Sequence, residues 1–544
     1  MKRIIVEGIP KDVDENCTAE DVLKLLETEI DLPVAAVIDG KEVSLNEKIG
    51  EGKNISFLER LHLPGYWVYL RSLSFLFIIA VKEIYPDAKV KIIHSMNNEI
   101  FGRILYNGEI DYKRIEKKMW DIVQADEYIE KVRVPKKLAQ KIFDRQNMED
   151  KNKLLSHAVD YEIISLYYSC GIYDYFYGPM IPSFGYIDKF KLESFEDGFL
   201  LLLPRVYNPE EEPTHWDIPK LRQVYNEMEI WAGILGIDSI GELNKRVELG
   251  KLQEIVLISE GLQEKKISDI ADEIKDHIDR TKLILIAGPS SSGKTTFSNR
   301  LAIQLRVLGL LPKAIAMDNY FKSRESLSKE GDEVMESVEA VDVEALQKDL
   351  LTLLAGGEIN LRVFDFIEGK QKTTEERYSL KENSIIILEG IHGLNEVTTS
   401  MIPKDQKYKI YVSALTPLNL DDHNSIYVSD LRLMRRIVRD HNTRGHDAIA
   451  TLKQWNHVRR GEEKNVFPYQ EEADVMFNSS LIYEMIILKD HLLPLLEEIP
   501  VNHDTYLDAQ RLIRLLGFFE AKQTDVIPKN SILREFIGGS CFDV

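Results

Sequence analysis

Short apolar runs alternate with amphipathic segments throughout the second half of the chain. The runs have the length of strands, and the segments between them place apolar residues at the three- and four-residue spacing of helices. The runs KLILIAG, KAIAMD, SIIILEG, YKIYVSA and ADVMFN begin at Lys282, Lys313, Ser384, Tyr408 and Ala473. This alternation predicts a parallel sheet with helices on both faces, and therefore an α/β fold for residues 281–500.

The preceding residues show three other patterns. Residues 1–60 predict a strand at RIIVEG, a helix at TAEDVLKLLETE with Thr18 as its N-cap, and strands at AAVIDGKEV and NISFLE, the order of a small β-grasp domain. Residues 61–225 predict a mixed α+β domain, with helices at RSLSFLFIIAVKEIYP and DYKRIEKKMWDIVQ. Residues 226–280 lack proline and favour a helical linker, and residues 501–544 predict one helix followed by an irregular tail.

Composition limits the classes of function. A chain of 544 residues exceeds one core, so we expect about three or four domains. The net charge of −21 argues against a nonspecific grip on RNA or on an anionic membrane. Cys17, Cys170 and Cys541 lie far apart, which argues against zinc knuckles and disulfides. We therefore expect a soluble cytoplasmic protein, and its oligomeric state, a homo-oligomer included, stays open.

One motif predicts a phosphate-binding loop. GPSSSGKT, from Gly288 to Thr295, matches G-x-x-x-x-G-K-[ST] and lies between a predicted strand and a predicted helix. Backbone N–H groups would face the phosphates, Lys294 would reach the β- and γ-phosphates, and Thr295 could hold Mg²⁺. The residues predicted to bind nucleotide in this loop are Gly288, Ser290, Ser291, Ser292, Gly293, Lys294, Thr295 and Thr296.

Carboxylates and arginines downstream suggest what happens to the phosphate. Asp318 ends the strand KAIAMD, at the sheet edge where a carboxylate could accept a proton from an attacking hydroxyl. Glu389 ends SIIILE and is a candidate for Mg²⁺ or its water shell. The run DLRLMRRIVRDHNTRG predicts a lid helix that closes over polyphosphate. The alternatives are a strand-end turn or helix cap for Asp318, a cap for Glu389, and a solvated helix for the arginines, paired to Asp430 and Asp440.

Together these motifs resemble the uridine kinase/phosphoribulokinase family of P-loop kinases, over roughly residues 282–496. The resemblance rests on GPSSSGKTT, MDNYF, ESVEAVD, VFDF, LEGIHGL, RLMRRIVRD and ADVMFN, in the family's order. It implies ATP and Mg²⁺, with Asp318 as general base, Glu336 on sugar hydroxyls, and Tyr320 and Phe364 lining the acceptor pocket. It also implies lid or sugar contacts for Arg435, Arg436 and Arg439, and we add Arg432 from the same helix face.

The acceptor is less defined than the chemistry. Where the family's uridine and cytidine kinases carry a histidine for the pyrimidine edge, this chain has Gly369 and Lys370, and Met335 replaces an aromatic residue. We expect phosphoryl transfer to a nucleoside hydroxyl, in particular that of a pyrimidine ribonucleoside. Two alternatives are a kinase for another sugar or sugar phosphate, and a tRNA-associated NTPase or regulator.

The front half carries a second resemblance. Residues 1–60 are similar to a TGS-type β-grasp domain, and residues 61–225 to the hydrolytic editing domain of threonyl-tRNA synthetases. The resemblance places the editing groups at positions that here are Arg71, Phe75, Phe176 and Met180. These side chains cannot activate water or ligate metal as imidazole and thiolate do, so we predict no editing hydrolysis.

The role of this half stays open between RNA binding, ligand sensing and support of the kinase. Residues 1–60 contain 8 Lys and Arg against 14 Asp and Glu, a poor electrostatic clamp for RNA. His94 and the aromatic residues of YEIISLYYSCGIYDYFYG are expected to serve the core. Ligand sensing or a scaffold role is favoured.

Overall fold

The computed structural model describes residues 1–26, 32–96, 98–157, 162–205, 208, 210–323, 336–365, 368–520 and 525–542. The strands are β1 Lys2–Val6, β2 Ile9–Val13, β3 Pro33–Ile38, β4 Lys41–Val43, β5 Asn54–Glu59, β6 Lys89–Met96, β7 Glu99–Leu105, β8 Glu130–Pro135, β9 Ile163–Ser169, β10 Ile172–Asp174, β11 Lys191–Phe195, β12 Gly198–Leu202, β13 Leu283–Ala287, β14 Leu311–Ala316, β15 Glu358–Asp365, β16 Lys370–Ser379, β17 Ser384–Glu389, β18 Lys407–Ser413 and β19 Val475–Asn478. The α-helices are Ala19–Lys24, Leu63–Ile84, Tyr112–Gln124, Lys136–Arg145, Glu149–His157, Pro219–Leu235, Ile240–Glu248, Leu252–Asp276, Lys294–Val307, Val343–Leu354, Glu396–Thr399, Val428–Arg439, Ala448–Asn465, Glu484–Glu497, Tyr506–Leu516 and Arg534–Ile537.

The N-terminal residues form a five-stranded sheet in the order β2-β1-β5-β3-β4. One short helix, Ala19–Lys24, packs on it and buries Ala19 and Val22. Thr18 caps this helix, because its hydroxyl accepts from Asp21 N–H and the Asp21 carboxylate accepts from Thr18 N–H. The predicted β-grasp arrangement is present with five strands, because AAVIDGKEV forms the β3–β4 hairpin and Ile9–Val13 is a further strand.

The next unit combines two antiparallel sheets, ordered β11-β12-β7-β6 and β10-β9-β8, with four helices. Its central helix, Leu63–Ile84, is buried along almost its whole length. A helix that is apolar on every side has to lie inside a core. The predicted mixed α+β character of this region is confirmed.

The second half contains a five-stranded sheet in the order β14-β17-β13-β18-β19. All of its strand pairs are parallel, with Leu283 opposite Ile386 on one side and Lys407 on the other. The five predicted apolar runs are these five strands. Their carboxyl ends meet at one edge, which is where ligands bind in sheets of this kind.

The two halves share a core. One hydrophobic cluster contains Phe75 of the buried helix, Ile286 of β13, Leu431 beyond β18 and Leu533 near the C-terminus. A second cluster covers the other face of the parallel sheet and includes Tyr225 and Leu388. The front half is therefore packed against the parallel sheet through apolar contacts. Among the described residues, no helix is long and apolar enough to span a bilayer.

Candidate active site

The phosphate-binding motif forms a tight turn between β13 and the helix Lys294–Val307. Gly293 is the N-cap of this helix and has φ of +82°, in the left-handed region that favours glycine. A Cβ on Gly288 would lie 2.1 Å from the carbonyl oxygen of Val412 in β18, so only glycine fits there. Both glycines of the motif are therefore required by the backbone.

Two serine hydroxyl groups inside the loop have no hydrogen-bond partner among the described residues. They belong to Ser291 and Ser292, which are both buried. Lys294 Nζ donates to the carbonyl oxygen of Pro289 at 3.1 Å, which folds the side chain back over the loop. Unpaired buried donors next to a helix N-terminus suit the oxygens of a phosphate.

The arginine helix Val428–Arg439 lies against the loop instead of projecting into solvent. Arg432 donates to both oxygens of buried Glu462, at 2.6 and 2.8 Å, and to the carbonyl oxygen of Ser290 at 3.2 Å. Glu462 also accepts from Ser290 N–H at 2.7 Å. Arg432 and Glu462, which are both far from the loop in sequence, thus hydrogen-bond the backbone of Ser290 in the phosphate-binding loop. Glu462 is a functional residue that the sequence analysis missed.

Arg435 and Arg436 contact the neighbouring serines of the loop. Arg435 NH1 donates to the carbonyl oxygen of Ser291 at 3.3 Å, and its guanidinium forms a paired hydrogen bond with buried Glu484. Arg436 NH1 donates to the hydroxyl of Ser290 at 2.8 Å. The solvated-helix alternative is wrong, because these side chains are buried.

The end of this helix gathers three guanidinium groups on one carboxylate. A turn of π-helix, Asp440–Arg444, follows Arg439. Buried Asp440 pairs with Arg439 at 2.9 Å, Arg436 at 3.3 Å and Arg444 at 3.7 Å. The Arg444 side chain is about half exposed, and partial burial together with the charges of Arg439 and Arg436 lowers its pKa. One carboxylate leaves an excess of positive charge, which favours an anionic ligand.

Three predicted acids lie close to Lys294. Burial raises the pKa of Asp318, against the opposing charges of Lys294, Arg444 and Arg439. Burial also raises the pKa of Glu336 and of Glu389 to about 7, and in both cases the charge of Asp318 adds to the effect. The predicted base, the predicted sugar-binding acid and the predicted metal ligand are thus brought together. β14 ends at Ala316, so Asp318 lies in the following turn, Met317–Tyr320, and not in the strand.

The aromatic residues predicted for the acceptor pocket lie in the core beside it. Tyr320 is buried and its hydroxyl hydrogen-bonds Asp349 at 3.2 Å. Phe364 packs edge-on against Phe321, with ring centroids 5.8 Å apart. Glu336 packs on Gly461, where an added Cβ would lie 2.3 Å from that of Glu336. The positions Met335 and Phe366 lie outside the described residues.

Thr295 and Glu389 could hold a divalent cation. The Thr295 hydroxyl lies 3.4 Å from each Glu389 carboxylate oxygen. A hydroxyl and a carboxylate are oxygen ligands of the kind that Mg²⁺ takes beside phosphates. The donor set therefore fits this ion.

The C-terminal segment lies on the phosphate-binding loop. Glu535 accepts hydrogen bonds from Thr296 N–H at 3.1 Å and from the Thr296 hydroxyl at 2.8 Å. Phe536 lies under the Arg435 guanidinium, 4.8 Å from carbon to ring centroid. The tail was expected to be irregular, but residues 525–542 are packed and include the short helix Arg534–Ile537. Glu535 carries no motif, so no sequence signal could have identified it.

The positions that the resemblance assigns to editing groups are filled by packed side chains. Arg71 donates twice to the carbonyl oxygen of Pro179, at 3.0 and 3.2 Å, and Phe75 packs edge-on against Phe176 at 5.7 Å. Met180 is fully buried. The remaining cavity beside Arg71, about 10 Å³, has room for one water at most and is closed from the other side by His423. His94 stacks on Tyr225 with ring centroids 3.9 Å apart, as expected for a core residue, and its Nδ1 has no hydrogen-bond partner among the described residues.

A parallel sheet that holds a lysine-bearing glycine loop, arginines and acids at its carboxyl edge defines a P-loop kinase. The comparisons with known proteins agree. Residues 283–482 match the model of the Phosphoribulokinase / Uridine kinase family. The chain belongs to this family, because it is 30% identical to the uridine kinase of Borrelia duttonii over 198 residues, which cover 85% of that enzyme and 36% of this chain.

Two further relatives reflect the two halves. The chain is 31% identical to a uridine kinase of Schizosaccharomyces pombe over 181 residues, 32% of this chain and 36% of that protein. It is 26% identical to the threonine–tRNA ligase of a Sulfurihydrogenibium species over 279 residues, 48% of this chain and 41% of the ligase. The chain thus spans less than half the length of each of these two proteins. Both predicted resemblances are confirmed.

Replacing Glu535 with glutamine should strengthen ATP binding several-fold. The Glu535 carboxylate uses two donors at the N-terminus of the P-loop helix, which are donors that a phosphate would use, and its charge repels a polyphosphate. Calorimetric titration with ATP would measure this. Glu520→Gln, in the preceding segment, is the control and should not change ATP affinity. Weaker ATP binding by Glu535→Gln would mean that the tail supports the nucleotide site.

Glu336→Gln should stabilise the protein at pH 8 by ~1–2 kcal/mol, allowing for solvent screening. A carboxyl whose folded pKa is about 7, against an ordinary value of 4.5, binds its proton more tightly in the folded state. Folding stability therefore falls as pH rises from about 4.5 to 7. Glutamine removes this loss, so the difference between the two proteins should shrink as pH falls and become small near pH 4.5. Urea unfolding at both pH values measures the difference in the free energy of unfolding between the two proteins. The exposed substitution Glu339→Gln is the control.

Proposed function

We propose that this protein transfers the γ-phosphoryl group of ATP to a hydroxyl of a nucleoside, in particular a pyrimidine ribonucleoside. The family is that of the uridine kinases, and the arrangement of acids around Lys294 supports a hydroxyl acceptor. A hydrolytic switch has no need of a second acid such as Glu336 near the base.

The observation that carries the proposal is the position of Asp318. Its carboxylate is partly buried at the carboxyl edge of the sheet, within the electrostatic reach of Lys294, Arg439 and Arg444. Burial makes the carboxylate more basic than an exposed aspartate, which suits proton abstraction from an alcohol. The three cations would stabilise the negative charge that spreads over the phosphoryl oxygens during transfer.

The reaction follows from this arrangement. The acceptor hydroxyl oxygen forms a bond to the γ-phosphorus, the bond from that phosphorus to the β–γ bridging oxygen breaks, and ADP leaves with the electron pair. The hydroxyl proton passes to Asp318. Lys294 and the loop amides hold the phosphates in line, and Arg436 and Arg439 approach from the lid helix. Glu336 would orient the sugar through its hydroxyls.

Thr295 and Glu389 are proposed to hold Mg²⁺ through oxygen ligands. The ion would neutralise charge on the phosphates when bound. Burial raises the pKa of Glu389 to about 7, and a bound cation would favour the ionised form of this carboxyl.

A sugar phosphate is the second candidate acceptor. In the β15–β16 hairpin, Lys370 lies opposite Asp365, which is the residue after Phe364. The family's base-reading histidine is missing here, and a lysine could pair with a phosphate on the acceptor. The lysine in place of the histidine favours an acceptor that carries a phosphate over an uncharged nucleoside.

An acceptor screen tests the function. ADP formation would be measured with ATP and Mg²⁺ against nucleosides, free sugars, sugar phosphates and bulk tRNA, with Lys294→Ala as the inactive control. We expect uridine or cytidine to stimulate ADP release and to be converted to the monophosphate. Stimulation by tRNA alone, without any phosphorylated acceptor, would overturn the proposal in favour of an RNA-responsive NTPase.

A further inference from the structure

A cavity of about 410 Å³ lies between the front half and the kinase half. One wall consists of the first two turns of the helix Leu63–Ile84, with Trp216 beside them. The other wall comes from the end of β18, the start of the arginine helix and the helix Ala448–Asn465. A concave, largely apolar space of this volume is typical of small-molecule sites.

The interior of the cavity is aromatic. Its described lining residues include Tyr66, Trp67, Trp216, Tyr411, Tyr427 and Phe467. Trp67 and Tyr427 stack on each other across the two halves, with ring centroids 5.1 Å apart and planes 18° apart. Flat aromatic walls favour a planar ring as the ligand, because stacking contributes beyond simple apolar burial.

The charged residues of the cavity favour an anion. Arg205, Arg432 and Arg459 line it, whereas Glu463 is the one acidic residue among its described lining. Arg459 and Glu463 form a pair at 3.5 Å, and the Arg205 side chain is half exposed, so both guanidinium groups can turn towards a ligand. Arg432 is fully buried, and its Nε has no hydrogen-bond partner among the described residues.

This cavity is separate from the phosphoryl-transfer site. Lys294, Asp318, Glu336 and Phe364 are not among the residues that line it. The phosphate-binding loop contributes only Pro289, the residue before the serines. A ligand here would approach the loop from behind, through Arg432 and its hydrogen bond to the Ser290 carbonyl oxygen.

We propose that this cavity binds a planar aromatic compound with one anionic group, of the size of a nucleoside monophosphate. The ring stacks on the aromatic lining, with Trp216 as one stacking partner, and the anion pairs with Arg459 and Arg205 at the rim. Because Arg432 contacts both the ligand and the loop, binding changes the affinity of the loop for ATP. The front half then contributes one wall of a ligand-sensing site in place of its lost editing chemistry.

Calorimetric titration of the full chain with UMP, CMP, AMP and GMP tests this inference. The Lys294→Ala variant is used, so that the proposed kinase reaction and its outcome play no part. At least one monophosphate should bind. Trp216→Ala should weaken that binding by roughly 5- to 100-fold, the range for the loss of one stacking partner. Arg459→Ala should weaken the monophosphate but leave the parent nucleoside unchanged.

The controls separate a structural effect from a ligand contact. Arg460→Ala, the neighbouring exposed arginine, should bind like the parent protein. Trp120→Phe, which removes an indole that stacks on Phe190 elsewhere, should also bind normally. The proposal is overturned if no monophosphate binds, or if Trp216→Ala and Arg459→Ala bind normally while Asp318→Asn loses binding, since the ligand would then occupy the catalytic site.

The coupling to the loop has its own readout. With the wild-type chain, the bound monophosphate should change the Kd for ATP at least about fivefold, and Trp216→Ala should remove this change. An ATP affinity that is independent of the monophosphate would refute the link through Arg432.

Discussion

Replacing Asp318 with asparagine should lower kcat for phosphoryl transfer by about 10²- to 10⁴-fold, the usual contribution of a general base. Asparagine keeps the size of the side chain but cannot accept the proton of the attacking hydroxyl. ATP affinity should be unchanged or slightly higher, because the change removes a negative charge near Lys294. Rates with saturating acceptor and calorimetric titration with ATP measure the two effects separately.

The control for this variant is Asp365→Asn. Asp365 lies in β15 and pairs with Lys372 at 2.8 Å on the surface of the hairpin. Its replacement should leave kcat within about twofold, because surface pairs contribute little. If Asp318→Asn keeps full transfer, or loses ATP binding as strongly as turnover, the carboxylate is not the base and the proposed mechanism is wrong.

The parallel sheet and its loop could be predicted because their signals are local. Buried parallel strands are continuous apolar runs, and the glycines at 288 and 293 are demanded by close backbone contact and a left-handed φ. Strand Ile9–Val13 was missed because it is mostly exposed, starts next to a proline and lies at a sheet edge. Strand Lys370–Ser379 is highly charged, and only its pairing with β15 makes it a strand.

The parts of the site that could not be predicted depend on contacts between distant residues. Glu462 hydrogen-bonds Ser290, which is 172 residues away in sequence, and Glu535 hydrogen-bonds Thr296, which is 239 residues away. No periodicity or motif encodes such distances. The arginines of the helix Val428–Arg439 could be predicted as a group, but their buried partners Glu462, Glu484 and Asp440 decide which of them face the loop.

The contact between the two halves also depends on residues that are distant in sequence, so it could not be predicted either. The segment Asp421–Tyr427 follows β18 in the kinase and packs where an editing pocket would lie. Asn419 Nδ2 donates to the Ile92 carbonyl oxygen at 2.8 Å, and Ile92 N–H donates to the Asp422 carbonyl oxygen at 2.8 Å. This segment of the kinase half therefore forms part of the interface with the front half.

Lys151→Met should destabilise the folded chain by ~3–5 kcal/mol, the cost of breaking a buried ion pair from one side. Lys151 is 1% exposed, and its Nζ lies 2.8 Å from Asp174 and 3.0 Å from Asp421, one carboxylate from each half. His423 pairs with the second oxygen of Asp174 at 2.7 Å. Burial alone would raise the pKa of Asp174, but Lys151 and His423 lower it to about 2.

Urea unfolding of Lys151→Met would measure this loss, with exposed Lys153→Met on the same helix as the control. The methionine leaves two buried carboxylates with only His423 to balance them, so further removal of one charge should help. In the double variant Lys151→Met/Asp421→Asn we expect part of the stability to return, which gives a coupling energy that a simple loss of packing would not produce. Additive effects of the two changes would show that the cluster does not act as one electrostatic unit joining the halves.

The contribution of Asp174 itself should disappear as pH falls from about 4 through 2, because its folded pKa lies below the ordinary value.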